Sequence, residues 1–530
     1  MPDKDYDVLI VGSGHSGGMA ANILTQKGLN CLMLNAGPQM DPARDRTSKT
    51  SYELPYRGFG QPGRLTHVFQ STEFNANQWV DEKEQPYTYD PDAVYNWVRV
   101  RTLGGRSLYW ARQSFRLSDL EFNAAEIDGA GDSWPIRLAD IAPYYSRVEA
   151  IFKVTGRNEG WPQFPDANLL EGGGGRGGGA ESEASKKFKA VCAQRGIGVS
   201  VMRTAMGENG LASSLNLLLP DAVATGKLDI VSNAIVHTVS TDKNTGLVNG
   251  VHFLDRHSRR DMFAKARVVV LAAGALESTR LMLNSNIANS SGVLGHYLHD
   301  QIYGINVVAS NPAARDGKAT ATPGMMGGSA FLPRFRNLKK GENTGFIKGY
   351  CVNIGLGGGA NGDFFADYGD SLQKKLDSYA GSCVSGSIYG ERVARFENHV
   401  RINKDVKDEW GIPALHIVAK DSDNERKLAK DAADTIEDLF HACGWETVNK
   451  TDRYYPPGYS IHEVGTARMG DNPKTSVLNK WNQSHDIKNL FVVDGAAFVT
   501  CGWQNPTMTI LSLSMRASEY LAAQLQQRNI

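Results

Sequence analysis

The stretch Asp7–Gly17, DVLIVGSGHSG, decides how the rest of the chain is read. Asp7 to Val11 is a continuous apolar run that suits a strand buried on both faces, and Gly17 to Lys27 (GGMAANILTQK) carries small and apolar residues at helical spacing. Asn30 to Leu34 follows as a second strand. Between the first strand and the helix lies Gly12-Ser13-Gly14-His15-Ser16-Gly17. In a chain with 56 glycines such spacing can arise by chance, but its place between strand and helix gives it a mechanism. Gly12 permits a tight turn, Gly14 lets the backbone approach a pyrophosphate, and Gly17 lets helix and strand pack closely, with the helix N-terminus facing the phosphate charge. A dinucleotide site is expected here; the alternative is a glycine-rich structural turn. Where an acidic residue commonly meets the ribose, about 20 residues on, the chain has Asn35 in LNAGP. Asn35 can still bond a ribose through its carbonyl oxygen, without charge and so with weaker retention, or it can be a turn residue.

Outward from this unit, Ala266 to Ala273 (ARVVVLAA) reads as another buried strand, with a helix starting after Gly274, and Asn489 to Asp494 (NLFVVD) reads as a third. Strands of one parallel sheet are therefore expected from widely separated parts of the chain. Asn424 to Ala442 has the spacing of an amphipathic helix with a packing role. The run GGGGRGGG, Gly172 to Gly179, is a loop or hinge, because glycine loses too much backbone entropy there to hold regular structure. The stretch from Ser310 to Lys340 has no clear period and is either a lid over a site or a variable surface excursion.

Composition narrows the function classes. With 530 residues the chain exceeds what one hydrophobic core usually serves, so two or more domains are expected. Lys+Arg 57 against Asp+Glu 57 gives a formal net charge of zero, which argues against a nucleic-acid partner. No run approaches the roughly 18 apolar residues of a membrane span, and the opening MPDKDYDVLIVGSG lacks the pattern of an export signal. Cys31, Cys192, Cys351, Cys383, Cys443 and Cys501 are far apart in sequence, with no C-x-x-C pair. They read as separate reduced thiols of a cytoplasmic protein, with no metal site among them.

Four further segments, RTLGGRSLYW, VVVLAAGALESTRLML, SIHEVGTARMG and NLFVVDGAAFVTCGWQNPTMTI, follow DYDVLIVGSGHSGG in an order that resembles the glucose-methanol-choline (GMC) family of flavin oxidoreductases over most of the chain. The wording around HEVGTARMG and QNPTMTI is most similar to the branch of pyranose oxidases and glucoside 3-dehydrogenases. The resemblance implies an α/β fold in which a Rossmann-type FAD-binding domain, residues 1–310 and 455–530, accompanies an α+β substrate domain with an antiparallel sheet, residues 311–454. It also implies FAD as cofactor. Thr102, Gly104, Gly105 and Ser107 match the loop passing the flavin ring and pyrophosphate. Val236 matches the position whose backbone meets the adenine, or is an ordinary sheet valine. Ala273 and Pro506 are further expected FAD contacts. Asp494 matches the acidic residue beside the ribityl chain and phosphates, although a strand ending in Asp-Gly also makes a simple turn. Where pyranose oxidases attach the flavin through a histidine, this chain has Tyr109, so FAD is expected without a covalent link.

Of twelve histidines, all but His462 are given structural roles, His15 and His67 included. The family match places His462 over the flavin N5 edge, and Asn505, held extended by Pro506, completes the pair. A neutral histidine can take the proton of a secondary alcohol while FAD takes the hydride, and an Asn N–H can orient the same oxygen. Arg106, Arg112, Gln113, Trp503 and Gln504 receive no committed role. The expected activity is oxidation of a ring hydroxyl of a sugar or glycoside, at C3 or C2 of a glucopyranoside. Dioxygen, a quinone or a cytochrome would take the electrons, and a small accessory subunit can carry an export signal for both chains, in which case the location is periplasmic. The alternatives are an alcohol oxidase acting on a non-sugar substrate, a non-redox lyase that keeps FAD, and a flavoprotein subunit active only with its partner.

Overall fold

The computed structural model describes residues 5–39, 68, 78–170, 182–316, 330–342 and 344–530. The Gly172 to Gly179 run, His67 and residues 317–329 of the Ser310 to Lys340 stretch lie outside the described residues.

The first unit forms as the opening sequence dictates. Strand β1 (Tyr6–Val11) leads through the glycine turn into helix α1 (His15–Gln26) and strand β2 (Cys31–Leu34). Both strands are buried almost throughout, as the apolar runs require in a parallel sheet covered on both faces. β3 (Leu228–Val231), β4 (Ala234–Thr241), β5 (Val248–Asp255) and β6 (Asp261–Leu271) come next, followed by helix α2 (Ala275–Ser285). Strand β6 has two jobs. Its first half pairs antiparallel with β5, which pairs with β4, and its apolar second half runs parallel to β1.

The second sheet is antiparallel. It contains β7 (Gln301–Ile302), β8 (Asn306–Ser310), β9 (Ala330–Leu332), β10 (Tyr350–Gly358) and β11 (Cys383–Glu391). Helix α3 (Asp423–Ala442) covers it, burying Leu428, Ala432, Ile436, Leu439 and Phe440 at the spacing read from the sequence. Ser422 and Glu425 close the helix start with a capping box. β12 (Glu446–Thr451) finishes this sheet beside β8. The expected break at residue 310 falls at the end of β8, so that strand and β7 belong to the antiparallel sheet and not to the first segment.

The chain then returns. β13 (Leu490–Val492) pairs parallel with β6, giving the parallel order β3-β2-β1-β6-β13, and helix α4 (Thr507–Gln526) packs against α1. One sheet is thus assembled from the first, middle and last parts of the chain. Among the described residues no helix is long and apolar enough to cross a membrane. All six cysteines are free and buried.

Candidate active site

A cavity of about 440 Å³ runs from the glycine turn at the end of β1 to the loop that follows β13. At its nucleotide end the three glycines do three different things. Gly12 has φ +102°, and a Cβ there would overlap the Ala272 carbonyl oxygen. A Cβ on Gly17 would overlap the Gly12 carbonyl oxygen, so α1 and the turn are in direct backbone contact. Gly14 is the opposite case: a Cβ would meet nothing closer than the Gly104 carbonyl oxygen at 4.0 Å, and the residue lines the cavity. Gly14 also caps α1, with no side-chain hydrogen bond to the first turn and no acidic residue in it. An open glycine at a helix N-terminus is a cradle for a phosphate group, and the site therefore fits a dinucleotide.

Ser13, Asn35 and Gly104 are bound to one another. The Ser13 hydroxyl donates to Asn35 Oδ1 at 2.7 Å, the Gly104 N–H donates to Ser13 Oγ at 2.8 Å, and Asn35 Nδ2 donates to the Gly37 carbonyl at 3.0 Å. Asn35 lines the cavity, and its side chain holds the turn through both ends of its amide. Thr102 donates to the Pro38 carbonyl, and Ser107 donates to the Gly104 carbonyl while accepting from the Ser214 N–H. Thr102, Gly105, Ser107, Val236, Ala273 and Pro506 all line the cavity; Gly17 and Gly104 support it from behind.

Asp494 lines the cavity. One oxygen accepts from the Gly274 N–H and the Ser278 hydroxyl, the other from the Ala496 N–H, so the carboxylate ties the start of α2 to the end of β13. Burial nevertheless pushes its pKa up, against these hydrogen bonds. Nearby, Arg106 forms a two-pronged ion pair with Glu463, at 2.6 and 2.8 Å. Tyr109 donates to Gln78 and packs on Trp79.

The far end brings His462, Asn505 and Gln301 together. His462 Nε2 lies 3.3 Å from Asn505 Nδ2, and its Nδ1 lies 2.7 Å from Gln301 Oε1. Burial, with Arg106 adding, pushes its pKa down to about 3, so the imidazole is neutral and able to accept a proton. Asn505 Oδ1 is buried without a hydrogen-bond partner, and Asn505 lines the cavity. Tyr389 stands over the imidazole, ring centres 5.6 Å apart, and stacks on Tyr303, which leads to Tyr455 and Tyr459. Gly465, with φ +101° and a Cβ position that would overlap the Tyr297 carbonyl, lets the loop after His462 turn tightly.

Several side chains left without a role now have places. Arg106, Arg112 and Gln113 line the cavity, with Arg112 donating to the Gly210 carbonyl. Trp503 is buried away from it among Phe115, Phe164 and Phe331, and Gln504 donates to Glu121. His15 lies between Trp110 and Phe152 and lines the cavity wall. Gln301 and the four tyrosines were not singled out by the sequence; they belong to no local motif, and only the pairing of β7, β11 and the 455–462 loop brings them together.

Comparison with known proteins agrees with this architecture. The N-terminal and C-terminal models of the GMC oxidoreductase family match residues 6–303 and 394–514. The chain is 27% identical to a 2-methyl-1,2-propanediol dehydrogenase of Mycolicibacterium austroafricanum, over 97% of this chain and 95% of that one. It is 25% identical to the fructose dehydrogenase large subunit of Gluconobacter japonicus, over 98% of each. In fold it is similar to pyridoxine 4-oxidase from Mesorbium loti, with a TM-score of 0.62 at 17% identity over 99% of both chains. With a Rossmann-type glycine turn, a discontinuous parallel sheet, an antiparallel second sheet and family models spanning both, the chain belongs to the GMC oxidoreductases, FAD-dependent enzymes that act on CH–OH groups.

Proposed function

We propose that this chain oxidises a secondary ring hydroxyl of a sugar or glycoside, at C3 or C2 of a glucopyranoside, to the keto sugar, with FAD held without a covalent link. The observation that carries the reading is the convergence of a neutral His462 and Asn505 at one end of a cavity walled by Tyr303, Tyr389 and Tyr459. When bound, FAD supplies the acceptor for the hydride. His462 takes the hydroxyl proton at Nε2. Asn505 orients the hydroxyl: the long contact between its N–H and Nε2 is one that a substrate oxygen can replace with two shorter ones. The tyrosine rings give the flat, mostly apolar wall that a sugar ring needs, with hydroxyls at its edge. At the other end Gly14, Ser13 and the α1 N-terminus would hold the pyrophosphate, and Val236 and Asp494 the nucleoside and ribityl regions. Tyr109 offers no imidazole for a flavin link, which supports non-covalent binding.

Electrons then pass to dioxygen, a quinone or a cytochrome. The relative named as a large subunit favours a small accessory subunit as partner. The six free thiols favour the cytoplasm, or the periplasm if such a partner carries the chain out. A second reading has a specific observation behind it: the relative named for 2-methyl-1,2-propanediol favours the same chemistry on a small non-sugar alcohol. Anaerobic stopped-flow absorbance separates them. Glucose and methyl glucosides should bleach the flavin band, and recovery in air sorts oxidase from dehydrogenase. Bleaching by small diols alone would replace the sugar reading, and a band that no alcohol bleaches would turn attention to a lyase.

A further inference from the structure

We infer that Gln301 is the positioning residue of the catalytic pair: its side-chain amide fixes His462 in the form that carries its proton on Nδ1 and leaves Nε2 bare toward the cavity. Gln301 is fully buried in β7. Its Nε2 lies 2.5 Å from the Gly502 carbonyl and 2.9 Å from the Gln504 carbonyl. Carbonyl oxygens only accept, so the nitrogen end of the amide must face them, and turning the amide over would set oxygen against oxygen twice. The oxygen end therefore faces His462, 2.7 Å from Nδ1. An amide oxygen cannot donate, so the hydrogen in that contact belongs to Nδ1. A neutral imidazole carries one ring proton, and Nε2 is left with a lone pair, which accepts from Asn505 Nδ2.

The same side chain thus grips both halves of the pair. It anchors the 502–504 backbone that presents Asn505, and it orients the ring of His462. Gln301 is held in turn. Its carbonyl accepts from Arg392 at 2.7 Å, and the neighbouring Asp300 accepts from the Gly458 N–H at 2.6 Å and the Ser460 hydroxyl at 3.0 Å, on the segment that leads into His462. When the substrate O–H bond breaks and an Nε2–H bond forms, the Nδ1–H keeps its bond to Gln301, so the ring need not turn.

A neutral amide behind a histidine also differs in kind from a carboxylate. The charged and titratable groups around the imidazole are Arg106, paired with Glu463, Tyr389, whose ring centre lies 5.6 Å from that of the imidazole, and Asp300, paired with Arg392, next to Gln301 in the chain. A carboxylate in place of the amide would set one oxygen against the Gly502 and Gln504 carbonyls, so only a group with a donor at one end and an acceptor at the other satisfies this position.

The kinetic part of this proposal rests on His462 acting as the base; the tautomer part does not. The first test is ¹⁵N NMR of the FAD-loaded enzyme labelled at histidine, without substrate, with the His462 signals assigned by their loss in His462→Gln. We expect a protonated Nδ1 and a bare Nε2. A proton found on Nε2 overturns the proposal, whether or not sugars bleach the flavin. The second test is Gln301→Met, which keeps the length of the side chain and removes both ends of the amide without adding charge. The ¹⁵N signals of His462 should then report a mixture of the two ring forms, with FAD still bound. A ring that keeps its proton on Nδ1 alone, in a variant that folds and holds FAD, would overturn the proposal. If Gln301→Met does not fold, the wild-type NMR experiment still decides.

Discussion

The two ends of the cavity are built from different materials. The nucleotide end is shaped by backbone: Gly12 and Gly17 leave no room for a side chain, Gly14 leaves room for a ligand, and Ser13, Asn35, Thr102 and Ser107 spend hydrogen bonds on holding loops. The catalytic end is made of side chains from four distant places, namely Gln301, Tyr389, His462 and Asn505. A backbone site holds a large anionic group by shape and by oriented N–H groups. A side-chain site can set a proton affinity and a tautomer. Damage at the first should cost cofactor and folding, and damage at the second should cost rate alone.

The largest effect tests the first half of that contrast. Gly12→Ala forces a side chain into φ +102° against the Ala272 carbonyl, at about 3 kcal/mol of strain or more. The purified protein should be colourless and should melt earlier in denaturant; a yellow, stable variant would show that the turn is not rigid. Next comes His462→Ala, which should lower sugar-dependent flavin reduction by about 10² to 10⁴-fold while the visible spectrum still reports bound FAD. Asn505→Ala should follow at about 10²-fold, again with FAD retained, and loss of flavin from either variant would erase the distinction between the ends. A smaller change sharpens the nucleotide end itself. Gly14→Ala meets only open cavity, so the apo-protein should unfold within about 0.5 kcal/mol of the parent, while FAD, measured by fluorescence titration, should bind more weakly. Finally, the pH profile should show almost nothing. With His462 held near about 3 by burial, the base is unprotonated at every pH above that. The reduction rate should therefore stay flat from about pH 8 to about pH 5, and a loss of rate centred near the ordinary histidine value would show a solvated ring.

The same contrast explains what could be read from the chain. A site made of absent side chains leaves its mark locally, because the strand, the glycines and the helix are contiguous; Gly12, Gly14 and Gly17 could each be given a job from the order of residues. The parallel strands were legible for the same reason, since burial on both faces demands an unbroken apolar run such as Val8 to Val11. His462 and Asn505 were reached through the resemblance of their segments to the family. Gln301 left no local trace. A glutamine in HDQIYG has no period, no spacing and no motif, and its importance arises only when β7 is laid beside the 502–504 backbone. The boundary at 310 moved for a related reason: β8 is a short apolar strand whose sheet is chosen by its partners β11 and β12, not by its own residues.

The central strand β6 lies between β1, built from residues 6–11, and β13, built from residues 490–492. During synthesis the first of these neighbours waits about 250 residues for β6, and the second follows β6 by more than 200 residues. The sheet under the nucleotide site cannot close before residues 490–492 are made, and Asn505 comes later still. Contacts of such long sequence separation fold slowly, and the apolar faces of β1 and β6 must be kept from other chains in the interval. A nascent chain stalled before residue 490 would carry every glycine of the nucleotide turn and still lack the strand that completes its sheet.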